Sequence, residues 1–200
     1  MGNSNSECKI SIDTDENGNS TILLPDCTTQ KLYDGEYCSK NFKECFRNKL
    51  TKDGNESEYC ESIVPIRVYK KTIVPNAKPD DGISVLTTLI LLPETEVYSR
   101  YENSYNRIGR AEKAYVYSQL LHNSRIRKNN KFRGINHVNI DYSVSEYDKS
   151  FVYTNGTMVK PKEDFYCMEF WKYDTKNFIA PKEDGIHFYF NKLRAQPWCD

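Results

Sequence analysis

The stretch that decides the fold reads Ile63-Val64-Pro65-Ile66-Arg67-Val68-Tyr69-Lys70-Lys71-Thr72-Ile73-Val74, and resumes as Ile83-Ser84-Val85-Leu86-Thr87-Thr88-Leu89-Ile90-Leu91-Leu92. In the first part Val64, Ile66 and Val68 alternate with Pro65, Arg67 and Tyr69, the period of a strand with two unlike faces. Ile83 to Leu92 is apolar or Thr throughout. That pattern predicts a central strand covered on both sides, ended by Pro93. Pro75 and Pro79-Asp80-Asp81-Gly82 supply the turn between them.

Strand signals continue toward the C-terminus. Val138, Ile140, Tyr142 and Val144 alternate against Asn139, Asp141 and Ser143. Phe151-Val152-Tyr153 and Thr157-Met158-Val159 flank Asn155-Gly156, a favoured hairpin dipeptide. Pro161-Lys162-Glu163-Asp164 precedes an aromatic strand at 165–173, and Pro181-Lys182-Glu183-Asp184 precedes a second at 186–193. In the middle, Arg110-Ala111-Glu112-Lys113-Ala114 are strong helix formers. Ala111, Ala114, Tyr115, Ser118 and Leu121 then fall on one side of a helix over Gly109–His122. The expectation is a mainly β, antiparallel, sandwich-like fold of about seven to nine strands with one inserted helix.

Upstream of Ile63 the texture changes. Residues 1 to about 30 read as a loosely ordered arm, 31–62 as a Cys-rich segment packed on the main domain, and 63–200 as that domain. Within 31–62, Phe42, Cys45, Phe46 and Leu50 suggest a short helix over Ser39–Leu50. Asp13, Asp15, Asn17 and Gly18 resemble the start of a calcium loop. The glutamate needed six residues after the glycine is absent, Leu24 standing there, so a turn is the better reading.

Seven cysteines occur: Cys8, Cys27, Cys38, Cys45, Cys60, Cys167 and Cys199. Five fall in the first 60 residues, with no C-x-x-C pair and no histidine beside them, so a zinc site is disfavoured and a disulfide framework expected. An odd number leaves one thiol over. Connectivity stays open. Asn19-Ser20-Thr21, Asn55-Glu56-Ser57 and Asn155-Gly156-Thr157 are glycosylation sequons in turn-like contexts. Met1-Gly2-Asn3-Ser4-Asn5-Ser6 fits an N-myristoylation pattern, which would place the chain in the cytosol. Cysteine clustering and sequons agree against it. We therefore read a secreted or surface-exposed chain whose signal peptide has been removed.

Composition narrows the function classes. The chain has 200 residues, 13% aromatic, with 15 tyrosines and equal numbers (28 each) of basic and acidic side chains. It is too aromatic for disorder and too neutral to advertise nucleic-acid binding. The longest apolar run is too short to span a bilayer as a helix. Charge is unevenly spread, however, with 8 basic residues and one acidic over 104–133.

No nucleophile elbow, phosphate loop, metalloprotease helix or cofactor motif is present. His137 and His187 read as ordinary surface or hydrogen-bonded histidines, and Cys167 as a disulfide or core thiol inside an aromatic strand. Glu163-Asp164 and Glu183-Asp184 could hold a cation only if their loops meet. Arg125, Arg127, Lys128, Lys131 and Arg133 form the best surface candidate, suited to the sulfates of a glycan. The functional expectation is a non-catalytic extracellular binding protein with a protein partner. The alternatives are a sulfated-glycan binder through 125–133 and a secreted hydrolase or small-ligand carrier.

Overall fold

The structure, a computed structural model, describes residues 8–50, 56–76, 83–99, 108–123, 138–146, 148–161 and 185–195. Three strands, β1 (Ser11–Thr14), β2 (Ser20–Leu23) and β3 (Thr29–Asp34), form an antiparallel meander. An arm was expected here. Ile22, Leu24 and Leu32 instead bury themselves against Ile90 and Tyr115 of the main sheet.

The two hairpin loops of the meander are alike. In each, three residues separate the closing pair and the last is left-handed: Gly18 at φ +82 and Cys27 at φ +65. That is a turn followed by a left-handed residue, the usual three-residue hairpin. The acidic run at 13–18 is thereby explained. Asp15 accepts the Asn17 and Asn19 amides at 2.9 and 2.8 Å and the Asn19 side chain at 3.0 Å. Those hydrogen bonds, the Asn19 side chain first, hold its carboxyl below the usual carboxylate range. Cys8 is joined to Cys27 and closes the second loop onto the start of β1.

The Cys-rich segment follows as α1 (Gly35–Lys40), α2 (Phe42–Cys45), β4 (Phe46–Leu50) and β5 (Glu56–Ser62). Asp34 caps α1 through the Glu36 amide at 2.9 Å, as a short side-chain oxygen should. A disulfide links Cys38 to Cys45 across the two helical turns. The helix expected over Ser39–Leu50 stops at Cys45. Phe46 is extended, stacks on Phe42 at 4.5 Å and enters the core.

The remaining elements are β6 (Ile66–Thr72), β7 (Ile83–Leu91), β8 (Glu96–Ser99), β9 (Ile108–Ala111) and β10 (Ala114–Asn123). Then come β11 (Val138–Asn139), β12 (Tyr142–Val144), β13 (Val152–Thr154), β14 (Met158–Val159), β15 (Ile186–Tyr189) and α3 (Lys192–Ala195). Strands β6, β7 and β10 are the long antiparallel centre. On the outer edge of β6 the sheet divides. Its first residues pair in parallel with β3, while Tyr69 pairs with Tyr189 of β15, which leads through β9 and β8 to β5 and β4. Beyond β10 lie β14 and β11.

The fold is thus mainly β with a disulfide-bonded N-terminal segment, as the sequence implied. The helix expected at Gly109–His122 is not there: those residues are β9 and most of β10. Tyr115 and Val116 point to opposite faces and both are buried, one in the core beside β2 and one in the main core. A helix could cover only one stripe, whereas a central strand buries both. Tertiary pairing with β7 outweighs local propensity here.

The main core lies on the face of β6 and β7 that carries Ile66, Val68, Leu89 and Leu91, closed by Phe188, Phe190 and Tyr153. The opposite face is covered at one end by the meander and at the other by α3, whose Ala195 packs with Tyr69 and Leu86.

Candidate binding surface

Strands β12 and β13 form a separate two-stranded ribbon. What fixes it is polar. Gln119 of β10 is 1% exposed, and its Nε2 faces the Asp141 and Tyr153 carbonyls and Asn155 Oδ1 at 3.2, 3.1 and 3.0 Å. Its Oε1 accepts from Ser143 Oγ, with Thr87 Oγ1 at 3.4 Å. Thr72 and Thr87 share a 2.6 Å hydrogen bond, and Ser143 Oγ reaches Thr72 at 2.7 Å. Asn155 Nδ2 donates to the Ile140 carbonyl at 2.7 Å.

Gln119 of β10 therefore grips the ribbon's backbone, while Thr72 of β6 holds its Ser143 hydroxyl and Thr87 of β7 braces both Thr72 and Gln119. Within a dry interior such bonds are strong, and any one left unmade costs the full desolvation of its partner. A backbone bridge between Ile73 and Val144 and the Lys71–Glu146 ion pair at 3.7 Å complete the attachment.

This network overturns the expectation at 142 and 143, while Val144 is buried as the alternation implies. Alternation put Val138, Ile140, Tyr142 and Val144 together as the apolar set. In the ribbon Ser143 is fully buried, while Tyr142 is 53% exposed. The serine is drawn inward because Gln119 and Thr72 wait for its hydroxyl, and its neighbour Tyr142 points to the other face, which is open at Tyr142 and closed at Val144, where the strand bridges Ile73. Val152 stands beside it on the partner strand, diagonal in the register and 45% exposed. A second expectation also changes. Asn155-Gly156 makes a turn, closed by the Thr157 amide on Thr154, but joins strands of different sheets: β13 pairs with β12 and β14 with β10.

Large apolar side chains exposed among the described residues are Tyr37, Ile63, Tyr117, Val138, Tyr142, Val152, Met158 and Leu193. Five of these, from Tyr117 to Met158, belong to β10–β14. Tyr117 is the extra residue of a bulge between Val116 and Ser118, and it is exposed.

The titratable groups offer less. His187 sits opposite Arg110 in the β9–β15 pair, half-buried, and its Nε2 is buried with no hydrogen-bond partner among the described residues. Burial, reinforced by the Arg110 and Lys70 charges, pushes the imidazole down to about 3. A ring held that low is a poor proton acceptor at neutral pH. The expected surface or hydrogen-bonded histidine is thus half-buried, with one ring nitrogen unpartnered among the described residues.

Lys70 points into the core side of β6, where its Nζ donates to the His187 carbonyl at 3.1 Å and stands 5.9 Å from the Tyr153 ring centroid. Tyr69 donates to Asp34 at 3.0 Å, and burial first, with that carboxylate second, raises its phenol. Both residues are absorbed in structure.

Among the described residues no group of three His, Cys, Asp or Glu side chains is placed to hold a metal ion, and no helix is long and apolar enough to cross a membrane. Cys60 is buried, its sulfur 3.3 Å from the Val97 carbonyl. Arg125, Arg127, Lys128, Lys131, Arg133, Asn55, His137, Glu163, Asp164, Cys167, Glu183, Asp184 and Cys199 lie outside the described residues.

Sequence reasoning missed Gln119, Ser143 and Asn155 as a unit. Its one available signal was Thr87 on a strand face that is otherwise apolar, since a buried hydroxyl must find a partner. Comparison with protein-family models, with curated proteins and with solved structures gives no match for this chain.

Proposed function

We propose that this chain is a non-catalytic binding protein of the receptor, cytokine or adhesion type, working outside the reducing cytoplasm on a protein partner. The observation that carries the reading is the ribbon. Tyr142 and Val152 are exposed on a surface whose inner side is locked by buried hydrogen bonds. Tyrosine is among the residues that dominate interface energies, and a rigid platform reduces the ordering cost of binding. Two disulfides are compatible with an oxidising compartment.

The test is a screen of the intact protein against purified extracellular domains, followed by Tyr142→Ala with Val152→Ala. Affinity for a partner found this way falls at least tenfold while the melting temperature stays put. A partner bound equally well by the double variant removes the ribbon from the site. Turnover of a small substrate by the purified chain overturns the non-catalytic reading.

The sulfated-glycan alternative rests on Arg125, Arg127, Lys128, Lys131 and Arg133 of the sequence alone. Heparin retention well above physiological salt, lost in Arg127→Ala with Lys128→Ala, would favour it.

A further inference from the structure

Two of the three sequons lie in described turns, and their asparagines stand in opposite situations. Asn19 closes the β1–β2 loop and is exposed, as is Thr21, the hydroxyl residue of its sequon. Its amide nitrogen makes one solvent-facing bond, to Asp15 at 3.0 Å. That bond is dispensable, because Asp15 also accepts two backbone amides of the loop. Asn155 is part-buried between β10 and the ribbon. It spends Nδ2 on the Ile140 carbonyl, Oδ1 on Gln119 and its own backbone N–H on the Asp141 carbonyl.

We infer that the chain carries an N-linked glycan on Asn19 and none on Asn155, whose amide is a strut of the fold. The inference rests on the extracellular reading, since the modification requires passage through a secretory compartment. Chemically, the amide nitrogen attacks the anomeric carbon of a lipid-linked oligosaccharide pyrophosphate. A nitrogen–carbon bond forms, the carbon–oxygen bond to pyrophosphate breaks, the lipid pyrophosphate leaves with the electron pair, and one amide proton is released.

The product nitrogen keeps one hydrogen and gains a bulky, strongly hydrated substituent. On Asn19 that substituent projects into solvent from a hairpin tip. On Asn155 it would stand at the seam where Ile140, Gln119 and Asp141 meet. A chain modified there before folding could not close the ribbon and would leave the folded, secreted pool.

The experiment expresses the full chain behind a cleavable leader in a eukaryotic secretory line, unaltered and as Asn19→Gln, Asn155→Gln and Thr157→Ala. Site occupancy is read by peptide mass spectrometry after enzymatic glycan removal in heavy-oxygen water, which marks each formerly modified asparagine. The unaltered protein is expected to be marked at Asn19 and unmarked at Asn155. Asn19→Gln loses one glycan mass and keeps its urea midpoint. Thr157→Ala, which destroys the second sequon but spares Asn155, keeps the glycan mass and nearly all its stability.

Asn155→Gln made without glycan in bacteria has a lower urea midpoint than the unaltered bacterial protein. A marked Asn155 in secreted protein, a bare Asn19, or an undiminished midpoint for Asn155→Gln each overturns the inference. Because the added leader supplies export, these outcomes do not depend on the natural compartment. Absence of glycan from the protein isolated from its own cells would instead count against the extracellular reading.

Discussion

Acidification should weaken this fold through one side chain, His187. The unfolded chain takes up a proton on that ring below its ordinary value of 6.5, whereas the folded ring stays neutral until about 3. The unfolded state therefore binds more protons throughout that window, and stability falls as pH drops through it. Each pH unit inside the window costs about 1.4 kcal/mol. Between pH 7.5 and pH 5.0 the integrated loss from this ring is about 2 kcal/mol.

The comparison that isolates the term is His187→Phe, which removes both the titration and the unpartnered Nε2. Losing a buried polar atom with no partner is nearly neutral, so the variant should match the parent within about 1 kcal/mol at pH 7.5. Urea unfolding of both proteins at the two pH values gives the double difference. A difference near 2 kcal/mol supports the argument. Equal pH dependence in the two proteins, or a folded-state imidazole NMR titration centred near 6.5, refutes it.

Gln119→Ala empties the junction that holds the ribbon and leaves Ser143, Thr87 and Asn155 short of partners. The expected cost is about 3 kcal/mol in urea unfolding, with faster amide exchange over 141–155, and a loss below one-sixth of that would show the network to be incidental. Gly109 faces Phe188 across the β9–β15 pair, and a methyl group there would lie inside the ring, whose Cε2 is 2.7 Å away. Gly109→Ala should cost roughly 1–3 kcal/mol. In a double-mutant cycle with Phe188→Leu part of that cost returns, whereas strict additivity would mean that the ring moves aside freely. Replacing Cys38 and Cys45 together by Ser opens a short loop, for which chain entropy gives about 2.5 kcal/mol, measured by thermal unfolding with Cys8 and Cys27 intact.

Some of this was legible in the residues. Ile63 to Leu92 declared two long strands because alternation and an unbroken apolar run are properties of local sequence. The clustered cysteines declared disulfides, and Asp13, Asp15, Asn17 and Gly18 declared a turn, for the same local reason. Pairing was not legible. Which cysteine meets which depends on loops folding back, and Cys38–Cys45 emerges only once α1 and α2 are side by side.

The 109–122 error has a single cause. Arg110 to Ala114 favour a helix when taken alone, but the decisive term is the ladder that β10 makes with β7, between residues about thirty apart in sequence. The inversion at Tyr142 and Ser143 follows the same logic. Nothing near Ser143 in the chain says that Gln119 and Thr72 will converge on its hydroxyl. By itself, the sequence determined the class of fold and the positions of many of its strands and turns, since these follow from the spacing of neighbours. The partners across the sheet, the exposure of Tyr142 and the separate surroundings of Asn19 and Asn155 were decided by tertiary structure. A buried hydrogen bond is worth making only where distant strands have already excluded water.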